Sequence, residues 1–242
     1  MSNEHGEYDR EVNPYPSFGK KYNGEKAVIS LTSWTARINM VPKTLYSLIK
    51  QCPGFHIVLV LSENEFPKMM NDLPETLKLL VENELIEVMW VYNNVKSFKK
   101  VLFTMDKYRG IPIISADDDC IYTCNYAQML YDEWLKHPTC NITNDGSSGN
   151  DGYIWGRGPN TLYSPTFTKY ANRYISILNT VKYYDDDIFY GAISKKYNIK
   201  YVDLHNCCMY IFHSQISPLS SQSKMPFSFL AKYFLEAICC VY

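Results

Sequence analysis

The sequence predicts an α/β fold in which helices flank a mixed, mostly parallel central sheet. Residues 56–61 (HIVLVL) form a nearly continuous apolar run, which is typical of a strand buried on both faces. Apolar runs alternate with helical patterns four times before Pro138. Such an alternation predicts a parallel sheet with right-handed crossover connections.

Residues 27–137 supply the four strand–helix units. Strands are predicted at residues 27–31, 56–61, 86–92 and 111–116. Helices are predicted at residues 43–51, 73–83, 97–108 and 125–137, where apolar residues recur at helical spacing. Ser97 is expected to cap the third of these helices. Because parallel sheets bind ligands beyond the carboxyl ends of their strands, this half is expected to bind a nucleotide.

Residues 138–213 are predicted to complete a cleft and to form the acceptor half of a single domain that spans residues 27–213. Residues 144–152 (NDGSSGNDG) are predicted to be a flexible loop. We expect strands at residues 161–164 and 200–204 and helices at residues 168–178 and 187–197.

The two ends of the chain are predicted to lie outside this domain. Residues 1–26 form a polar extension without the apolar stretch of a secretory signal, and no apolar run of about 18 residues predicts a membrane-spanning helix. Residues 214–242 are predicted to form a helix over residues 227–242 that docks on the domain or, as the less favoured alternative, lies on a membrane surface. We therefore expect a cytoplasmic protein, with the inner face of the membrane as a further location.

The composition excludes several classes of function. With 46% hydrophobic and 20% charged residues, the 242-residue chain is typical of a globular protein rather than a disordered one. Its net charge of −1 supplies no positive field for nucleic acid, which is not an expected partner. The motifs GxGxxG, GxxxxGK[ST] and GxSxG do not occur, which disfavours Rossmann dehydrogenases, P-loop kinases and α/β-hydrolases.

The eight cysteines are predicted to be thiols rather than disulfides, because no secretory signal is evident. His205, Cys207, Cys208 and His213 lie close together in the sequence, but their spacing differs from that of a zinc module. A zinc site is therefore disfavoured there.

The clearest chemical signal is an apolar strand that leads into three consecutive carboxylates, Asp117, Asp118 and Asp119. Three adjacent carboxylates repel one another, and a divalent cation is the simplest compensation. Mg²⁺ or Mn²⁺ is typically bound by one or two carboxylates together with diphosphate oxygens. An exposed acidic turn is the alternative interpretation.

A second acidic triplet, residues 185–187, precedes a predicted helix. One aspartate would suffice to cap that helix and to interact favourably with its dipole. A further carboxylate facing a metal–diphosphate site could deprotonate an attacking hydroxyl group, so Asp186 and Asp187 are candidate general bases.

Four cations are candidates for neutralising phosphate. Arg37 follows the first strand, and Lys96, Lys99 and Lys100 lie at the start of the third helix. A solvated basic face is the alternative interpretation of the lysines.

Four segments, in this order, resemble a group of bacterial glycosyltransferases with the GT-A fold, related to family 2. Residues 28–38 (VISLTSWTARI) resemble their opening strand and nucleotide loop, and residues 95–100 (VKSFKK) resemble their IKSYKK segment. Residues 115–119 (SADDD) resemble their TADDD segment, which contains the D-x-D motif, and residues 186–189 (DDIF) resemble their DDIW segment. The resemblance implies a GT-A-like nucleotide-diphospho-sugar transferase fold.

The resemblance also implies roles for the residues that bind a nucleotide-sugar donor, with a UDP-sugar favoured. Asp119 would bind Mn²⁺ or Mg²⁺, with Asp117 at the other end of the D-x-D motif. The ribose or base would contact Asp117 or Asp118. The remaining donor-binding residues would be Thr32, Ser33 and Arg37 in the nucleotide pocket, and Lys96 and Lys99 near the base or the phosphates.

The implied reaction is an inverting sugar transfer in which Asp187, or failing that Asp186, deprotonates the acceptor hydroxyl. The acceptor would be a glycan or a lipid-linked molecule in the synthesis of surface polysaccharide or lipopolysaccharide. Two segments depart from the family pattern on the acceptor side, at residues 123–126 (TCNY) and 156–159 (GRGP). Phe189 also replaces a frequent tryptophan.

Two other functions remain open. The first is a GT-A-like domain that binds a nucleotide or glycan without turnover, although both acidic triplets are intact. The second is a sugar-phosphate nucleotidyltransferase, which is less favoured because its usual glycine-rich loop and lysine at the first strand do not occur.

Overall fold

A computed structural model describes residues 15–51, 53–149, 151–156, 160–178, 180–205, 210–212 and 225–239. The strands are β1 Ser17–Gly19, β2 Ala27–Thr32, β3 Phe55–Ser62, β4 Glu87–Val91, β5 Ile113–Ser115, β6 Cys120–Tyr122, β7 Asn141–Thr143, β8 Gly146–Ser148, β9 Ile154–Gly156, β10 Thr161–Tyr163, β11 Tyr201–Asp203 and β12 Tyr210–Phe212. The α-helices are α1 Val41–Ile49, α2 Glu75–Glu82, α3 Lys99–Lys107, α4 Tyr126–Lys136, α5 Pro165–Ala171, α6 Asp186–Lys196 and α7 Phe227–Cys239. These elements confirm the predicted α/β class.

Within the described residues, the main sheet has the strand order β1-β4-β3-β2-β5-β10-β7-β11. Strands β2 to β5 are mutually parallel, as the alternation of the sequence predicts. Strand β10 is antiparallel to both β5 and β7, and β11 is parallel to β7. The carboxyl ends of β2, β3, β4 and β5 therefore share one edge of the sheet.

Two hydrophobic cores lie on opposite faces of this sheet because successive side chains of a strand point in opposite directions. Along β3, Val58 and Val60 pack toward α3, α5, α6 and α7, whereas Ile57 and Leu59 pack toward α1, α2 and α4. Every residue of β3 is buried, which confirms the prediction of a strand covered on both faces.

The helix α7 docks on the domain, as the sequence analysis favours. Its apolar positions Leu230, Ala231, Phe234 and Ile238 are buried in the core that contains α6. None of the helices within the described ranges has the length and apolar character that a bilayer crossing requires.

Part of the predicted flexible loop at residues 144–152 is a strand, β8. Strands β8 and β9 form a hairpin there, and the backbone N–H of Gly146 donates to Asp203 Oδ2 at 3.2 Å. The region is rich in glycine, serine and asparagine, so its three-residue strands show no hydrophobic alternation by which they could be recognised.

A further strand, β1, lies within the segment that is predicted to be a polar extension. It pairs with β4 in antiparallel orientation and forms one edge of the main sheet. The short strands β6 and β12, which pair with each other, are also missed by the sequence patterns.

Two helices of the structure differ from the sequence prediction in how they start or continue. Ser97 does not cap α3: it lies in a 3₁₀ turn, Lys96–Phe98, and α3 begins without a side-chain cap. The helix predicted at residues 168–178 is α5, capped by Ser164, followed by the 3₁₀ helix Asn172–Ile177.

The cysteine predictions are tested only in part. Cys120, Cys124, Cys140 and Cys239 are free thiols, as expected. The other four cysteines, and His213 of the disfavoured zinc site, lie outside the described residues.

Candidate active site

The two acidic triplets meet at the carboxyl edge of the sheet. Asp117 follows β5, and Asp186 is the first residue of α6. The Lys100 ammonium group lies between them, with Nζ 2.8 Å from Asp117 Oδ1 and 3.0 Å from Asp186 Oδ2. The structure thus brings together two motifs that are about 70 residues apart in the sequence.

The position of Lys100 is set by the packing of α3 against β2. The buried hydroxyls of Ser30 on β2 and Thr104 on α3 both donate to the Lys100 carbonyl. Burial alone would lower the pKa of Lys100, but Asp117, Asp186 and Asp187 raise it well above the usual value. Lys100 is therefore a permanent cation between the triplets.

Asp118 is bound by protein groups rather than directed at solvent. Ser33 Oγ donates to Asp118 Oδ2 at 2.6 Å, and Arg37 contacts Asp118 Oδ1 at 2.7 Å. Burial raises the pKa of Asp118, while Ser33 and Arg37 act in the opposite direction. The Thr44 hydroxyl donates to the Asp118 carbonyl at 2.9 Å, which fixes the backbone of the triplet from α1.

Three predicted nucleotide-pocket residues lie where β2 ends. Thr32 is half-buried and its hydroxyl donates to the Val60 carbonyl on β3 at 2.7 Å. Ser33 and Arg37 follow and contact the first triplet, as described above. The same Arg37 guanidinium lies 3.2 Å from Asp119 Oδ2.

Lys96 and Lys99 lie beside the loops that follow β3 and β4, at the same carboxyl edge of the sheet. Lys99 is buried, and its Nζ donates to Glu65 Oε2 at 2.7 Å and to Asn94 Oδ1 at 2.9 Å. Lys96 has a positive φ of 55°, and its backbone N–H donates to Asn94 Oδ1 at 3.0 Å. The Lys99 ammonium group thus joins the loops that follow β3 and β4, and the charge of Asp118 in the first triplet also acts on it.

The residues present fit a hard divalent cation. Arg37 and Lys100 are each shared between two carboxylates, so the four carboxylates in these ion pairs keep an excess of negative charge. The side chain of Asp117 is 35% exposed and that of Asp119 is 12% exposed. In the described part of the chain, no three His, Cys, Asp or Glu side chains form a metal cluster. Asp117 and Asp119 could supply one or two carboxylate ligands, which is the usual number for Mg²⁺ with a bound phosphate.

The three aspartates of the second triplet have different surroundings. The Asp185 carboxylate caps α6 by accepting from the backbone N–H of Ile188 at 3.0 Å, so the structural role expected of one aspartate is filled. Asp186 is buried against Lys100. Asp187 is half-buried in the first turn of the same helix, and its charge acts on Lys100.

Two tyrosines of the site are missed by the sequence analysis. The Tyr122 hydroxyl accepts from the backbone N–H of Asp117 at 2.7 Å, and the Tyr126 hydroxyl donates to the Ser115 carbonyl. Their rings are in contact, with centroids 4.3 Å apart. The only sequence signal for them is the general abundance of tyrosine, 21 residues in all.

No protein-family model matches the sequence, and no curated protein matches it. Solved structures do resemble the fold. S. aureus TarS 1–349 superposes with a TM-score of 0.56 at 14% identity, over 76% of this chain and 59% of that one. The same fragment in complex with UDP-GlcNAc gives 0.57 at 14% identity, over 89% and 67%.

A third similar structure is the mannosyltransferase PcManGT from Pyrobaculum calidifontis in complex with GDP-Man and Mn²⁺. It has a TM-score of 0.50 at 10% identity, over 78% of this chain and 57% of that one. The chain thus spans only about three fifths to two thirds of the length of the polypeptides in these structures. At such low identity the likeness shows the fold alone, and it confirms the predicted GT-A fold.

Proposed function

We propose that this protein is a metal-dependent glycosyltransferase that moves a sugar from a nucleotide-sugar donor to an acceptor hydroxyl. The observation that carries the proposal is the meeting of Asp117 and Asp186 on one buried cation at the carboxyl edge of a GT-A sheet. The complexes of TarS with UDP-GlcNAc and of PcManGT with GDP-Man and Mn²⁺ support it. A UDP-sugar is the favoured donor.

The donor is proposed to bind across the carboxyl ends of β2 and β5. Asp119 and Asp117 would hold Mn²⁺ or Mg²⁺, as the D-x-D motif implies, and the ion would stabilise charge on the departing diphosphate when bound. Thr32, Ser33 and Arg37 would surround the nucleotide. Asp118, which Arg37 and Ser33 hold in place, would orient the loop that carries the other two carboxylates.

Asp187 is proposed as the general base, with Asp186 as the alternative. A general base must reach the hydroxyl whose proton it accepts, and it acts best as a carboxylate. Asp186 is held against Lys100, whereas Asp187 is half-buried one residue further along the same helical turn. Attack from the face opposite the diphosphate would invert the anomeric configuration.

The acceptor, the pathway and the location complete the proposal. We propose a glycan or lipid-linked acceptor in surface polysaccharide or lipopolysaccharide synthesis, with the protein cytoplasmic or at the inner membrane face. The exposed Phe229 and Lys232 on α7 support a peripheral contact with lipid.

The proposal is tested by calorimetric titration with UDP and GDP, each with and without Mn²⁺. We expect one nucleotide to bind in a metal-dependent manner. The Asp119→Asn variant should lose at least about tenfold in that affinity, because a neutral amide is a poorer ligand for a hard cation. Asp132→Asn on the exposed surface of α4 is the matched control and should bind as the wild type does.

Turnover separates the remaining alternatives. Asp187→Asn should bind the nucleotide normally but lose about 10²- to 10⁴-fold in kcat, the usual contribution of a general base. A wild-type protein that binds without turnover would be a binding domain. Release of pyrophosphate instead of a nucleoside diphosphate would identify a nucleotidyltransferase. Absence of binding to either nucleotide would contradict the whole proposal.

A further inference from the structure

We infer that Lys100 is a positioning residue that fixes the donor-side carboxylate Asp117 and the acceptor-side carboxylate Asp186 relative to each other. The inference rests on the proposed function and goes beyond it by assigning a residue that acts through these carboxylates. Lys100 contacts both of them, within 3.0 Å, and its side chain is only 7% exposed. A group so enclosed is not itself available to a large substrate.

The backbone that carries the Lys100 ammonium group is held in place by hydrogen bonds. The Lys100 carbonyl accepts hydrogen bonds from Ser30 and Thr104, so the backbone of this residue is fixed on β2 as well as within α3. The carboxylates, in contrast, lie on the loop after β5 and on the first turn of α6. Lys100 is thus a fixed cation that contacts one carboxylate side chain on each of these two segments.

The start of α6 does not depend on Lys100 for its folding. Asp185 caps the helix, and the Tyr190 hydroxyl donates to the Phe98 carbonyl at 3.2 Å, next to α3. Phe189 and Tyr190 are fully buried in the core. Loss of the Lys100 charge should therefore displace the carboxylates of the first turn while the helix itself stays packed.

Loss of the Lys100 charge should have opposite effects on the affinity for Mn²⁺ and on the rate of transfer. A cation about 3 Å from Asp117 repels a second cation that binds the same carboxylate, and burial of the Lys100 side chain reduces the screening of this repulsion by solvent. Without Lys100, Mn²⁺ should bind more tightly. Asp186 would lose its partner, and the poorer alignment of Asp186 and Asp187 would slow transfer. General damage to the fold would weaken both properties together.

The experiment compares the wild type with Lys100→Met and Lys100→Arg. The matched control is Lys107→Met, because Lys107 lies on the same helix and pairs with a buried carboxylate, Glu87, away from the site. Binding of Mn²⁺ without nucleotide is followed by electron paramagnetic resonance, and kcat and the donor KM are measured separately.

We expect Lys100→Met to lower kcat at least about tenfold, to change the donor KM less than about threefold, and to tighten Mn²⁺ binding severalfold. Lys100→Arg, which keeps the charge, should restore much of kcat. Lys107→Met should retain both kcat and Mn²⁺ affinity even if it unfolds at a lower temperature.

A double-mutant cycle identifies the carboxylate through which Lys100 acts. In an Asp186→Asn background, Lys100→Met should lower kcat much less than in the wild type, because the two changes remove one interaction. Equal losses in both backgrounds, an unchanged kcat, or a parallel loss of Mn²⁺ affinity would overturn the inference alone. A wild type that transfers no sugar would overturn the proposed function and the inference with it.

Discussion

Glu87 carries a buried charge at the start of β4, on the edge of the sheet opposite the acidic triplets. His56 Nε2 lies 2.6 Å from Glu87 Oε2, Lys107 donates to Oε1 at 2.6 Å, and the Tyr108 hydroxyl also donates to this carboxylate. Burial by itself would raise the pKa of Glu87, but these partners lower it to about 2. The charge is thus an integral part of the folded state.

The pH dependence of stability should report this charge. Because the folded-state pKa lies below the ordinary value of 4.5, the unfolded chain takes up the proton first as pH falls. The stabilisation is complete above about pH 4.5 and declines as pH falls toward about 2, by roughly 3 kcal/mol. Urea unfolding at several pH values should show a shallower dependence in Glu87→Gln, and an unchanged one in Glu75→Gln on the surface of α2. Parallel profiles for the wild type and Glu87→Gln would contradict this assignment.

At the scale of single residues, the sequence shows which side chains are candidates for binding or catalysis more readily than it shows which side chains contact one another. Asp117 and Asp119 are recognisable because carboxylates follow an apolar strand. Lys99 and Lys100 are adjacent and look equivalent in the sequence, yet one pairs with Glu65 and the other with Asp117. A helix places neighbouring side chains about 100° apart. Which of the two lysines pairs with Asp117 therefore depends on how α3 is rotated about its axis against the sheet. That rotation is a property of the tertiary packing.

At the scale of elements, the contact of α6 with β9 depends on a glycine. A Cβ atom on Gly191 would lie 2.3 Å from Cε3 of Trp155, which is buried and packs edge-on against Phe227. Gly191 is therefore a position at which the β8–β9 hairpin closely approaches the helix.

Gly191→Ala should lower the free energy of unfolding by about 1–3 kcal/mol, because the overpacking outweighs the roughly 1 kcal/mol gain in helix propensity. Denaturant unfolding measures the change. The same substitution should cost less in a Trp155→Leu background, where the smaller side chain leaves room for the methyl group. An equal cost in both backgrounds would show that the tryptophan ring is not the obstacle.

The elements that the sequence predicts well are the long ones. Residues 56–61 of β3 follow from a continuous apolar run, and the four N-terminal helices follow from apolar periodicity. Strands β1, β6, β7, β8, β9 and β12 have three residues each and are not predicted, although the equally short β5, β10 and β11 are. Their positions are determined by pairing with distant segments, such as β1 with β4 and β12 with β6.

At the scale of the whole molecule, α7 completes the core on one face of the sheet. Phe234 is fully buried and its ring centroid lies 5.4 Å from that of Phe189 on α6. Phe229 on the same helix is 44% exposed. One side of the helix is thus packed into the core, and the other side is exposed to solvent.

Phe234→Ala should lower the free energy of unfolding by about 3–5 kcal/mol, as large-to-small substitutions of buried aromatic residues do. Phe229→Ala should change it by less than about 1 kcal/mol, because its ring is only partly buried. Both are measured by chemical denaturation followed by circular dichroism. Similar small losses in the two variants would indicate that α7 contributes little to the stability of the core.

One continuous sheet runs through both halves of the molecule, because β5 is hydrogen-bonded to β10 and β10 to β7. A hinge motion that separated the halves would have to break these backbone hydrogen bonds and pull Asp186 away from Lys100. Opening and closing around a substrate should therefore be confined to the connections above the carboxyl edge. In hydrogen-exchange terms, amides of β2, β5 and β10 should open only with global unfolding.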